Sequence, residues 1–339
     1  MKGFLKTFFA TLLALCVFSG LAAVAFFGFI ALVGASGGAS PEIPAKAVLV
    51  FDLGANIPDH QSEDDPGALL QHAFNRGPRE IGLDAVLKAL DRAADDDRIA
   101  AVYLTGNLQP QGYGAGFAAL QEIRQALQRV AAKKPVVAYD MAFAKRDYYL
   151  ASVGKVYLNP LGEVEVNGLA SEPMFYGAAF QKYGVQVQVT RVGKFKSAVE
   201  PYVLDKMSPE NREQVQALLE DLWGGWKQAV AASRRTTPEA LQGLADTEGI
   251  LDAREAQAAG LIDGVRPFDA MLADLRSLAG AGEKAAEFPQ VDLATYADLL
   301  PPRSGKGKVA VVYAEGEIVD GDGQPGRSAE TPSPGSCGG

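Results

Sequence analysis

At 339 residues the chain has material for one large domain or two ordinary ones, and 48% hydrophobic with 22% charged residues is globular composition once a membrane segment is allowed for. A formal net charge of −9 argues against a nucleic-acid role, since phosphate binding wants a basic patch. Two cysteines, Cys16 and Cys337, exclude a disulfide framework, and two histidines, His60 and His72, leave almost no room for a histidine triad or a His-rich metal centre. No metal, nucleotide or other cofactor site emerges.

The first element is apolar. Thr7 to Pro41 carries no charge, and Phe8–Val33 is almost unbroken in apolar or small residues. About 20 such residues span a bilayer as a helix, whereas the core of a cleaved signal is about 7–15 residues. The stretch therefore predicts an uncleaved transmembrane anchor within residues 1–41. A secretory signal cleaved near "VGASGGAS" is the rival reading. Lys2 and Lys6 precede the span and Glu42 is the first charge after it, which keeps the N-terminus in the cytoplasm and puts the rest across the membrane.

Residues 42–280 read as one α/β domain, a parallel sheet with covering helices. "AKAVLVFDLG" (45–54), "IAAVYLTG" (99–106), "PVVAYD" (135–140) and "KVYL" (155–158) are short β-rich runs. Between them, Ile81, Val86, Leu87 and Leu90 recur at helical spacing, as do Phe117, Leu120, Ile123, Leu127 and Val130. "AKRDYYLAS" predicts a short helix. Strand and helix in alternation argue for parallel pairing. "EVEVNGL" and "VQVQVTRVG" then show period-two alternation. Ser208-Pro209-Glu210 opens a long helix, with Val215, Leu218, Leu219, Leu222, Trp223 and Trp226 as its inner face. Thr237-Pro238-Glu239 opens another. Asp252 with Glu255 predicts a capping box on a helix that ends at Gly260.

Residues 281–307 carry Pro, Gly and charges and read as a linker. After it, "KVAVVYAEGEIV" (308–319) aligns without a gap on "KAVLVFDLGANI" (46–57), with Lys46/Lys308, Val50/Val312 and Gly54/Gly316 identical. Residues 308–339 thus read as the start of a second, truncated repeat domain. Its last part, "RSAETPSPGSCGG", has no apolar periodicity and reads as a disordered tail.

The chemistry candidate is Lys196, in "RVGKFKSAVEPY" (191–202). A lysine is a general base only when neutral, which takes burial or neighbouring cations. Arg191 and Lys194 are near and Phe195 offers apolar cover. If the stretch is a strand, Lys194 and Lys196 share one face and Ser197 points to the other, so Ser197 is not the partner of Lys196. Composition alone makes Lys196 one more solvated lysine.

"RVGKFKSAVEPYVLDKMSPENREQVQALLEDLW" resembles the lysine motif of the signal peptide peptidase A family, in its long two-domain bacterial form within the ClpP/crotonase-like superfamily. "KALDRAADDDRIAAVYL", "KPVVAYDMAFAKRDYYLASVGKVYLNPLGEVEVNGL" and "DAREAQAAGLIDGV" extend the resemblance over roughly residues 43–320. It implies a ClpP/crotonase-like domain and a Ser–Lys peptidase in the bacterial cytoplasmic membrane, cleaving leftover signal peptides on its outer side. It also implies a ring-like homo-oligomer and assigns the base to Lys196. In the family's long form the serine comes from the carboxy-terminal domain. The equivalent turn here, Ala144 to Tyr149, holds Lys145 where a serine would be, and "LTGNLQPQGYGAG" lacks the family's oxyanion pattern. The chain thus reads as half a dyad, inactive alone. Two other readings stand beside it: a non-catalytic anchored scaffold that binds peptides, and an enzyme of coenzyme A thioesters. The anchor and the oxyanion departure argue against the second.

Overall fold

Strands β1 (Ala47–Asp52), β2 (Ile99–Thr105), β3 (Val136–Phe143) and β4 (Lys155–Glu165) lie side by side, each parallel to the next. This computed structural model describes residues 2–35, 42–59, 80–106, 116–282, 285 and 287–301. It divides into two units, Met1–Ile43 and Pro44–Gly339. In the first, α1 (Lys2–Ala35) contains the stretch Lys6–Gly28, long and apolar enough to cross a membrane. At 1.5 Å per residue its 23 residues rise about 35 Å, against a hydrocarbon core of about 30 Å. The hydroxyl of Thr11 donates to the carbonyl of Thr7 (2.8 Å), so it costs little in an apolar setting.

In the second unit the crossovers are α2 (Leu83–Ala93), α3 (Phe117–Ala131) and α4 (Lys145–Ala151). The order β5–β4–β3–β2–β1–β7 is completed by β5 (Ile250–Asp252), antiparallel to β4, and β7 (Gln290–Asp292), parallel to β1. The two-residue β6 (Gly264–Val265) pairs with β4 in parallel. The central strands read as continuous apolar runs because both faces are covered. Leu90 and Ile123, from α2 and α3, are fully buried, each worth about 1.5–3 kcal/mol by burial alone. On the other face Val48, Tyr103, Val137 and Tyr139 meet Met271 and Leu275 of α10 (Phe268–Leu278). The expected parallel α/β class is what the chain adopts.

Helix α7 (Pro209–Arg234) packs against α4. Ser208 caps it, its hydroxyl accepting from Asn211 N, as the Ser-Pro-Glu signal predicts. Trp223 and Trp226 stack at 4.7 Å, and the Trp226 indole donates to the carbonyl of Lys145 (2.8 Å). Leu218, assigned to the inner face, is instead 58% exposed. Thr237 caps α8 (Pro238–Thr247), and Asp252 with Glu255 forms the capping box of α9 (Ala253–Ala258).

Two expectations are corrected. Residues 290–298, assigned to a linker, form β7 and α11 (Leu293–Asp298). Tyr296 is fully buried and donates its hydroxyl to Asp96 at the turn before β2 (3.0 Å), a contact 200 residues apart. The bonded Arg98 guanidinium holds the Asp96 carboxyl well below the usual carboxylate range, and burial pushes the Tyr296 hydroxyl up. Such short elements owe their existence to pairing with β1, which periodicity cannot register. Conversely, 185–193 forms no strand despite its alternation: Val185 N donates to Phe180 O, and the valines at 185 and 187 stay exposed. A strand needs a partner, and among the described residues this stretch has none. The second copy at 308–319 lies outside the described residues, as do His60, His72 and Cys337.

Candidate functional site

An arm of chain leaves β4 after Glu165 and returns at α7. It contains α5 (Gly177–Tyr183), the irregular stretch 185–199 and the single turn α6 (Glu200–Val203). Gly177 is required where α5 begins. Its amide donates to Leu204 O (3.1 Å), and any Cβ there would stand 2.5 Å from that same oxygen. Tyr176 stacks on Phe180 and on Tyr202, with ring centroids 6.1 and 6.4 Å apart. Nine large apolar side chains between Leu169 and Tyr202 are exposed, against five elsewhere among the described residues outside α1. The exposed apolar surface outside α1 is thus concentrated on this arm. Beside it, between Leu169, Met207, Val215, Leu219 and Trp223, lies an open groove of about 320 Å³.

Lys196 sits on this arm, in a bend rather than on a strand. The strand geometry that set Lys194 and Lys196 on one face, with Ser197 opposite, is therefore not adopted. The Lys196 side chain is exposed, and among the described residues its ammonium makes no hydrogen bond or ion pair. Its backbone is held. The Lys196 carbonyl accepts from Arg191 Nη1 (3.0 Å) and the Phe195 carbonyl from Gln214 Nε2 of α7 (3.1 Å). Lys194 lies 5.4 Å over the Phe195 ring and pairs with Glu210 at 3.6 Å.

Beneath the bend lies Glu200, with no exposed surface. Its carboxylate accepts from Ser208 Oγ (2.7 Å), Ser208 N (3.2 Å), Asn211 Nδ2 (3.1 Å) and Arg191 Nη1 (3.4 Å). Burial raises its proton affinity, yet the donors together outweigh burial and hold the carboxyl below its ordinary value. A carboxylate with a depressed folded pKa contributes stability above its unfolded value, near 4.5, and loses it as pH falls through the folded one. The melting temperature is therefore expected to fall below about pH 4.5. Glu200→Gln should melt lower than wild type at pH 7, with the two curves converging towards pH 3; parallel curves would remove Glu200 from this role.

Lys145, at the position where the resemblance places a serine, opens α4. It pairs with Glu165 at 3.4 Å and donates to Asn167, and Asn167 donates in turn to Glu165 (2.8 Å). Lys145 is thus tied into a carboxylate and an amide at the position of that serine. At the end of β2, Gly106 has φ +78°, and the Asp52 carboxylate, which accepts from Gly54 N (2.8 Å), fills the space of any side chain there. The rest of the oxyanion candidate, 107–115, lies outside the described residues. Among the described residues no group of three His, Cys, Asp or Glu could hold a metal ion. Chemically, the arm offers an exposed lysine, Lys196, on a fixed backbone, and among the described residues no hydroxyl is bonded to its ammonium.

Residues named in the sequence without a role turn out to be structural partners of that lysine. Glu200 stands in the quoted motif, and the buried acid between Lys196 and the Ser208 cap was the available signal. Gln214 carried none, since its partner is a backbone carbonyl.

Comparison with known proteins bears on this arm directly. Residues 128–282, which contain all of it, match peptidase family S49. The chain is 30% identical over 326 residues to "Protease 4" of Salmonella typhi, covering 89% of this chain and 51% of that protein. It is 31% identical over 320 residues to "Protease 4" of Haemophilus influenzae, covering 88% and 51%. The "Serine protease SPPA, chloroplastic" of Arabidopsis thaliana is 29% identical over 255 residues, covering 74% and 36%. The chain thus spans about half the length of the bacterial relatives it matches. Among solved structures, an enoyl-CoA hydratase/isomerase family protein of Silicibacter pomeroyi matches with 18% identity and a TM-score of 0.32, over 60% of this chain and 73% of that one.

Proposed function

The chain belongs to peptidase family S49, and on that premise we propose that it is the lysine-bearing part of a membrane-anchored Ser–Lys peptidase that degrades cleaved signal peptides. In this reading Lys196 is the general base and the nucleophilic serine lies outside residues 1–339. Helix α1 is the anchor, with the N-terminus in the cytoplasm and the second unit on the outer side.

The observation that carries the reading is the presentation of Lys196. Its backbone is fixed by Arg191 and Gln214 while its ammonium is left in water, on an arm whose apolar side chains are exposed. A second domain or copy seated on the arm would take this lysine out of water and bring a hydroxyl within its reach. Base and nucleophile would then meet only in the assembly. The homo-oligomer expected from the family resemblance fits the same exposed face. The groove beside Met207 and Trp223 suits the apolar side chains of a signal peptide. Non-catalytic scaffolding is the second reading, favoured by Lys145 in the nucleophile's turn.

The test uses a fluorophosphonate serine probe. The 339-residue chain purified in detergent is expected to take no label. The form immunoprecipitated from its native membrane is expected to be labelled on a serine outside residues 1–339 and to cleave a synthetic apolar leader peptide. Label within residues 1–339 overturns the division of the dyad. A native form with neither label nor cleavage leaves the scaffold.

A further inference from the structure

Lys196 projects from a bend that has no regular secondary structure, yet proton transfer demands that its amine be held to a fraction of an ångström. The backbone therefore has to be fixed by something other than a helix or a strand. The connections on this bend supply it, and they run in one direction. Glu200 is anchored by three donors of the α7 start: the amide and hydroxyl of Ser208 and the amide nitrogen of Asn211. Arg191 reaches Glu200 with the same nitrogen, Nη1, that donates to the Lys196 carbonyl. One guanidinium nitrogen thereby ties the peptide unit of Lys196 to the cap of a 26-residue helix. The Glu200 amide closes the bend from the other end by donating to Ser197 O (2.9 Å).

Resting on the reading of Lys196 as base, we propose that Arg191 and Glu200 are positioning residues that fix the Lys196 backbone for proton transfer. Neither needs to touch substrate. Arg191 acts through the carbonyl of Lys196, and Glu200 acts by holding Arg191. Lys194 is the internal contrast. It is a cation of the same bend, but its partners are Glu210 and the Phe195 ring, and no bond of it reaches the Lys196 peptide. General electrostatic support for the bend would make the two cations equivalent. A positional role makes only Arg191 matter.

The experiment compares Arg191→Met, Arg191→Lys, Lys194→Met and Lys196→Ala in the native membrane form, reading kcat and KM for leader-peptide cleavage alongside the melting temperature. Arg191→Met is expected to lower kcat about 10- to 100-fold, with KM changed less than about 3-fold and melting within a few degrees of wild type. Arg191→Lys, which keeps one donor, should recover part of the loss, and Lys194→Met should stay near wild type. Wild-type kcat in Arg191→Met while Lys196→Ala is inactive overturns the positioning role alone. Equal losses in Arg191→Met and Lys194→Met overturn it too. Activity in Lys196→Ala overturns the reading of the base itself.

The 339-residue chain gives an independent decision without turnover. Hydrogen exchange at the amides of Glu200 and Tyr202, which donate to the carbonyls of Ser197 and Val199, should accelerate about tenfold in Arg191→Met while α7 stays protected, and unchanged exchange there overturns the proposal.

Discussion

Lys196→Ala is expected to lower leader-peptide cleavage by the native membrane form about 10²- to 10⁴-fold, the range general-base removal produces. The melting temperature should stay unchanged, because the Lys196 side chain is exposed and has no hydrogen-bond or ion-pair partner among the described residues. Its backbone contacts survive truncation at Cβ: the Lys196 carbonyl still accepts from Arg191, and Gln214 still holds the Phe195 carbonyl. Activity should therefore fall without loss of fold, with kcat carrying most of the change. Peptide cleavage at the wild-type rate would make Lys196 one more solvated lysine and leave the exposed arm as a binding face.

Arg124→Ala is the substitution with the largest expected effect on the fold itself. Arg124 lies on α3 with 3% of its surface exposed, and among the described residues no carboxylate is bonded to it. Its guanidinium donates to the carbonyls of Tyr149 and Ala229 (2.7 Å to Ala229) and to the hydroxyls of Ser152 (2.8 Å) and Ser233 (2.6 Å). It also lies 4.8 Å from the centre of the Tyr149 ring. Burial lowers its pKa to about 10, so the cation persists at neutral pH and is stabilised by dipoles and an aromatic face alone. Removing it takes the shared donor from four acceptors of α4 and α7, of which Tyr149 O keeps only the Ser152 hydroxyl (3.2 Å), and opens a cavity. The expected loss is about 3 kcal/mol, or roughly 6–12 °C in melting temperature for a domain of this size. Arg124→Lys should fall between, since one ammonium cannot span all four acceptors. A loss in Arg124→Ala below about 1 kcal/mol would show that α4 and α7 are joined without it by Trp226, which bonds the Lys145 carbonyl and lies 6.2 Å from the ring of Tyr148.

Arg124 also illustrates how far the chain could be read without coordinates. It falls at the spacing of Leu120 and Leu127, inside the apolar stripe of α3, and a stripe position held by arginine is itself a sign of a buried network. Which groups it would meet was beyond reach, because Ser233 lies 109 residues away. The same division holds for Glu200. Its place in the lysine motif is visible in the sequence, whereas its bonds to Arg191 and Asn211 depend on how the bend and α7 are brought together.

Sequence by itself determined whatever is local. The long apolar helix α1 follows from an uncharged apolar run, the parallel sheet from apolar runs alternating with helical periodicity, and the caps at Ser208, Thr237 and Asp252 from side chains that satisfy amides within three residues of themselves. Tertiary structure decided whatever depends on a neighbour. Gln290–Asp292 became a strand because β1 had a free edge for it, and 185–193, with the stronger alternation, did not because among the described residues no strand lies beside it. Backbone pairing is a property of two segments, and one segment's residues state only what they could pair with. For the same reason the sequence names Lys196 while only the fold shows it braced from behind and exposed in front.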